Sequence, residues 1–197
     1  MDLVLVVDVS RNMSKPANLI REGAHLAVYE LDSGDRVSVI TYGSKAKVLS
    51  GLTSDKGRIE NTLRQVKQPL IQWSRDRRLY DAILEAFRQL TPGSAPDHIR
   101  MVGLITNDID RGSIHDMDDI VEGARSKGIA VWVFLIANPY ANPAMFDNYM
   151  TFKYPDVRRA EERLRPLAAE TGGVLSVLEM NGYILRKAFA ACKAGVK

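Results

Sequence analysis

The chain has 197 residues, a net charge of +3, 46% hydrophobic and 26% charged residues, which is ordinary for one globular domain with a sizeable core. That charge is too mild for a nucleic-acid binder, and no apolar run approaches the ~20 residues of a membrane span. The lone cysteine, Cys192, excludes an intrachain disulfide and any Cys-based zinc site.

The elements alternate between buried strand and amphipathic helix. Leu3 to Val7 is nearly all Val and Leu, the composition of a strand covered on both faces. Lys15 to Leu31 places Ile20, Ala24, Ala27 and Leu31 on one helical face, with Pro16 in the first turn. Ser33-Gly34-Asp35 is a turn; Arg36 to Tyr42 alternates as a strand, and Ala46 to Leu49 is a short edge strand. A helix over Asp55 to Val66 is expected to be capped by Thr53 or Ser54, with Asp55 in its first turn.

Leu79 to Leu90 has helical spacing at Leu79, Ala82, Ile83, Ala86 and Leu90, and Thr91-Pro92-Gly93 stops it. A strand over Ile99 to Thr106, a helix over Asp116 to Ser126 and a strand over Ile129 to Ile136 follow. Asn138 to Tyr154 is a long connection with two prolines, expected to form an insertion at the top edge. A helix over Asp156 to Thr171, a strand over Val174 to Leu178 and a helix over Gly182 to Lys193 complete the chain. This alternation implies crossovers and a mostly parallel sheet between helices, a doubly wound α/β fold in a single domain over 1–197. Such sheets gather functional loops at the carboxyl ends of their strands.

At the end of the first strand stand Asp8, Ser10 and Asn12, three oxygen-bearing side chains spaced two apart. Where a strand breaks into a loop, that spacing can converge hard oxygen donors, which suit Mg²⁺, Mn²⁺ or Ca²⁺.

Five segments in order give the chain a resemblance to the von Willebrand factor type A (vWA) family, bacterial type. They are Asp8-Val9-Ser10-Arg11-Asn12-Met13, Gly34-Asp35-Arg36-Val37 running to Tyr42, Arg77-Arg78-Leu79-Tyr80-Asp81-Ala82, Leu104-Ile105-Thr106-Asn107-Asp108, and Leu167-Ala168-Ala169-Glu170-Thr171-Gly172-Gly173. The resemblance implies a Rossmann-like six-stranded sheet with one antiparallel edge strand and helices on both faces. It also implies a metal-ion-dependent adhesion site (MIDAS) at the top edge.

Three MIDAS positions depart from the family pattern. Asn12 replaces a serine, Arg77 stands at the threonine and Asn107 at the late aspartate. One negative charge fewer and one positive charge more leave the site two units more positive than the pattern. A guanidinium ~6 Å from a dication, at an effective dielectric of ~20, repels it by about 5 kcal/mol, or three to four decades of affinity. If Arg77 points inward, it excludes a metal and pairs with Asp8. If it turns to solvent, Asp8, Ser10, Asn12 and Asp108 retain a weakly held Mg²⁺ or Ca²⁺. The degenerate site is thus expected to be metal-free or weakly metal-binding.

Other features have plainer readings. The arginine clusters Arg75, Arg77, Arg78 and Arg158, Arg159, Arg163, Arg165 are expected on solvated faces. So is the acidic stretch Asp108, Asp110, Asp116, Asp118 and Asp119, as a loop and helix start. His25, His98 and His115 lack metal-ligand spacing; Trp132 belongs to the core, and Trp73 is a loop residue near Arg77. The aromatic residues of the long connection are expected to pack within it.

The resemblance implies a non-enzymatic protein-binding module, with top-edge ligand residues Asp8, Ser10, Asn12, Arg77, Asn107 and Asp108, and a partner recognised through an acidic side chain. A hydrolase or phosphoryl-transfer enzyme using Asp8 is the alternative. Against it, Ser10 stands where aspartate-based phosphatases need a second acid, and there is no phosphate-binding glycine loop or Gly-x-Ser-x-Gly turn. An inert scaffold domain of a larger protein is a third reading. The chain opens almost inside a strand, which suggests a piece trimmed from a secreted or periplasmic parent.

Overall fold

The computed structural model describes residues 1–10, 13–67, 76–90, 98–107, 110–137, 155–179, 181 and 183–195. The described strands are β1 (Asp2–Asp8), β2 (Arg36–Tyr42), β3 (Ala46–Thr53), β4 (Arg100–Thr106), β5 (Ile129–Ala137) and β6 (Leu175–Glu179). The described helices are α1 (Ser14–Val28), α2 (Lys56–Leu63), α3 (Leu79–Leu90), α4 (Met117–Lys127), α5 (Pro155–Glu170) and α6 (Ile184–Ala194).

They form one six-stranded sheet in the order β3-β2-β1-β4-β5-β6. Every neighbouring pair is parallel except β2 with β3, which are antiparallel. β1 lies between β2 and β4, so the chain winds one way from β1 and then returns to wind the other way. The switch point falls between β1 and β4, and their carboxyl ends, Asp8 and Thr106, border the crevice that such a reversal opens.

β1 shows why its residues are apolar on both sides. Strand side chains alternate between faces. Leu3, Leu5 and Val7 pack with α1 and α6 residues such as Ile20, Ala24, Leu185 and Phe189. Val4 and Val6 pack on the other face with α3, α4 and α5 residues such as Ile83, Phe87, Ile120 and Leu164. At ~25 cal/mol per Å² of apolar surface, this double burial makes β1 the sheet's anchor.

Local chemistry sets the helix ends. Asp55, not Thr53 or Ser54, caps α2: its side chain accepts from the Arg58 amide at 3.0 Å. Thr53 instead ends β3, which runs four residues beyond the expected Leu49. Asp116 is likewise the cap of α4 and not its first residue; it forms a reciprocal capping box with Asp119, at 3.1 Å each way. After α5, Gly172 takes φ +77 and Gly173 lies so close to β5 that a Cβ would meet the Val131 carbonyl at 2.0 Å. Thr171 Oγ1 accepts the Val131 amide at 3.1 Å, so the Thr171-Gly172-Gly173 segment fastens α5 to the sheet.

The Asn138 to Tyr154 connection and Trp73 lie outside the described residues. Trp132 is in the core as expected. Among the described residues, no helix is long and apolar enough to cross a membrane.

Candidate functional site at the top edge

Asp8 ends β1 with its side chain fully buried. Both carboxylate oxygens accept hydrogen bonds within the domain. Oδ1 takes the Ser10 amide at 2.7 Å, and Oδ2 takes the Thr106 hydroxyl at 3.2 Å. The Tyr42 hydroxyl donates to Thr106 Oγ1 at 3.0 Å. Three strand ends, β1, β4 and β2, are thus joined by one buried polar chain.

Burial pushes the Asp8 carboxyl above the ordinary aspartate range, and the Ser10 amide and the Arg77 charge pull it back in part. Burial also pushes the Tyr42 phenol well above its usual value, and the Asp8 charge adds to that rise. Tyr42 therefore remains a neutral hydroxyl donor.

Ser10 is 2% exposed, and its Oγ, which helps hold the Asp8 carboxyl down, makes no well-formed hydrogen bond among the described residues. Asn107 follows Thr106 and is buried. Arg78 Nε is also buried without a partner among the described residues. A buried polar atom left unbonded is costly, so such groups are candidates for meeting a ligand.

Arg77 is held from its backbone. Its amide donates to the Arg111 carbonyl at 2.7 Å and its carbonyl accepts the Arg111 amide at 2.9 Å. The Arg78 amide donates to the Gly43 carbonyl, just past β2, at 2.9 Å. Because Gly43 follows Tyr42, the register partner of Asp8, these bonds place the Arg77-Arg78 backbone at the crevice.

The structure thus gathers Asp8, Ser10, Arg77 and Asn107 at one edge. Asn12 and Asp108 lie outside the described residues. Thr106, Tyr42 and Asp110 were not among the expected site residues. Tyr42 and Thr106 did carry a signal, since Tyr42 closes one segment of the vWA resemblance and Thr106 lies inside another. Asp110 corrects the reading of the acidic stretch as solvated. Its carboxylate accepts from the Leu79 amide at 2.8 Å and the Tyr80 amide at 3.3 Å, and from the Ser113 hydroxyl at 2.5 Å. Asp81 returns the contact, accepting from the Ile114 amide at 3.1 Å and from His115 Nδ1 at 2.9 Å. Two carboxylates thereby tie the loop after β4 to the start of α3.

The sequence profile of the von Willebrand factor type A domain matches residues 3–109. The chain belongs to the vWA family. Solved structures with the same fold include BatB from Bacteroides thetaiotaomicron, at 20% identity and a TM-score of 0.69, covering 100% of this chain and 98% of that one. An aerotolerance-related membrane protein from Bacteroides fragilis matches at 19% identity and a TM-score of 0.67, with coverage of 100% and 98%. Proximal thread matrix protein 1 from the mussel byssus, with a zinc-occupied MIDAS motif, matches at 16% identity and a TM-score of 0.67, covering 97% of this chain and 45% of that one. At such identities the likeness is one of fold. A search of curated proteins finds no match.

The vWA fold implies a divalent cation at the top edge, and the described residues fit one poorly. No group of three or more His, Cys, Asp or Glu side chains that could hold a metal occurs among the described residues. Asn107 supplies no charge where the pattern has an acid, and Arg77 brings a positive charge. Ser10 Oγ is a neutral donor, too weak alone to hold Mg²⁺, which prefers carboxylate and phosphate oxygen.

Proposed function

We propose that this vWA domain is a non-enzymatic protein-binding module that meets its partner at the top edge, without a tightly held metal. We take all 197 residues as one such domain. The observation that carries the reading is the state of Asp8: fully buried, with both oxygens accepting hydrogen bonds. A nucleophile or general base needs a lone pair open to substrate, and the Asp8 carboxylate, with no exposed surface, instead orders the crevice.

The surface around it suits recognition. At the start of α3, next to Arg77, Arg78 supplies a cation for the partner, and guanidinium groups pair carboxylates in two-pronged fashion. Ile114, on the loop that Asp81 grips, is 81% exposed and offers an apolar anchor beside it. A partner presenting an acidic side chain next to an apolar one fits that pairing.

The test is binding to an immobilised panel of peptides that pair a Glu or Asp with a neighbouring Leu or Phe. Binding weakened by Ile114→Asp and Arg78→Glu, and unchanged by Arg64→Glu at the C-cap of α2, is the expected result. Equal loss from Arg64→Glu, or binding indifferent to all three, overturns the top-edge assignment. Hydrolysis of a generic phosphate ester that disappears in Asp8→Asn would favour the enzymatic alternative.

A further inference from the structure

The metal mismatch has a consequence for how the crevice is balanced. In the family pattern two acids face one dication, and the charges cancel. Here the pattern's acids are reduced to Asp8, and the added cation is Arg77. One negative charge facing one positive charge also cancels. We propose that the Arg77 guanidinium is a resident counter-charge that takes the place of the divalent cation, so that the top edge is assembled in the absence of metal.

Three observations on the backbone and the crevice support this. Arg77 is clamped by two backbone hydrogen bonds to Arg111, so its placement does not depend on its own side chain. The next residues are fixed as well, Arg78 by the Gly43 carbonyl and Leu79 by Asp110. Across the crevice, Asp8 is oriented by Ser10 and Thr106, the kind of internal ordering that a metal otherwise imposes on its ligands. Tyr42, the residue before Gly43, is the register partner of Asp8, so the Arg77-Arg78 backbone runs beside the end of β1. This inference stands whatever the top edge binds, since it concerns what balances Asp8.

Its test is Mn²⁺ binding, read by calorimetry and by the electron spin resonance of free Mn²⁺. The unaltered chain is expected to show no saturable binding tighter than about 1 mM. Arg77→Thr combined with Asn107→Asp restores the pattern's charges while leaving the backbone clamp intact. It is expected to bind at least ~10³-fold tighter. Arg77→Lys combined with Asn107→Asp keeps the cation and is expected to gain far less. Adding Asp8→Ala to the first pair abolishes the gain. Should the first pair fail to fold, Arg77→Met alone is the substitute, with a measurable gain expected over the unaltered chain. Three results overturn the proposal: Asp8-dependent Mn²⁺ binding tighter than about 1 mM by the unaltered chain, equal gains from the Thr and Lys pairs, or no gain in whichever neutral variant folds.

Discussion

Asp110 and Leu79 are 31 residues apart in sequence, yet the Asp110 carboxylate sits 2.8 Å from the Leu79 amide at the first residue of α3. A side chain from the loop after β4 does for α3 what an N-cap residue does from within its own helix. It satisfies amides that the helix cannot satisfy itself, and it places a negative charge at the positive end of the helix dipole. Asp110→Ala is therefore expected to cost about 1–2 kcal/mol, and Asp110→Asn much less. Urea denaturation followed by far-ultraviolet circular dichroism measures both. Equal costs would mean that charge, and not hydrogen bonding, carries the contact.

The buried chain from Tyr42 through Thr106 to Asp8 is expected to act as a unit. Tyr42→Phe removes one donor and should cost about 1 kcal/mol. Thr106→Val removes both the acceptor for Tyr42 and the donor to Asp8, and should cost about 2–3 kcal/mol. The double variant should cost less than the two single costs added together, because the second change removes a bond already broken. Strict additivity in denaturant titrations would show that the three groups do not communicate.

At the opposite end of β1, Arg36 grips the buried Asp2 through two nitrogens, at 2.8 and 2.6 Å, and His98 Nδ1 lies 2.8 Å from the same carboxylate. Asp2 has no exposure, while the Arg36 side chain keeps 27% of its own. Removing Arg36 strands a charge in the interior; removing Asp2 leaves a cation that can reach water. Arg36→Ala should therefore approach the about 3–5 kcal/mol typical of a broken buried pair, and Asp2→Ala should cost less. The reverse ranking in thermal melts would contradict this view of where the desolvation cost lies.

Cys192 is buried in α6, and burial lifts its thiol from a usual 9.0 to about 12. The sign follows from linkage: between those values the unfolded chain loses the thiol proton and the folded chain keeps it. The contribution is whole below about pH 9 and falls as pH rises toward about 12, with a limiting slope of about 1.4 kcal/mol per pH unit. Stability measured from neutral to strongly alkaline pH should fall less steeply for Cys192→Ala than for the unaltered chain. The native thiol should also resist a disulfide reagent at pH 8 until denaturant is added. Parallel pH profiles for the two chains would remove the thiol from the account.

Gly173 has no room for a side chain, because a Cβ there would lie 2.0 Å from the Val131 carbonyl oxygen. Gly173→Ala must push α5 away from β5 or bend the strand. A loss of several kcal/mol is expected, at the upper end for a single methyl group. A near-neutral melting temperature would show that this junction yields easily.

Sequence alone determined the order and nature of every described element, because strand and helix periodicity and turn chemistry are local. The all-apolar β1, the even spacing of α3 and the Thr171-Gly172-Gly173 stop could each be read without knowing what lay opposite. It also brought Asp8, Ser10, Arg77 and Asn107 forward, through the order of five short segments. Which polar groups satisfy one another, by contrast, was settled by packing. Asp110 looked like one more solvated acid until its partner amides were placed beside it, and Thr106 and Tyr42 looked like strand ends until they met at Asp8. Hydrogen bonds across 31 to 98 residues of chain leave no periodic trace, since they depend on strand ends that only the sheet order makes neighbours.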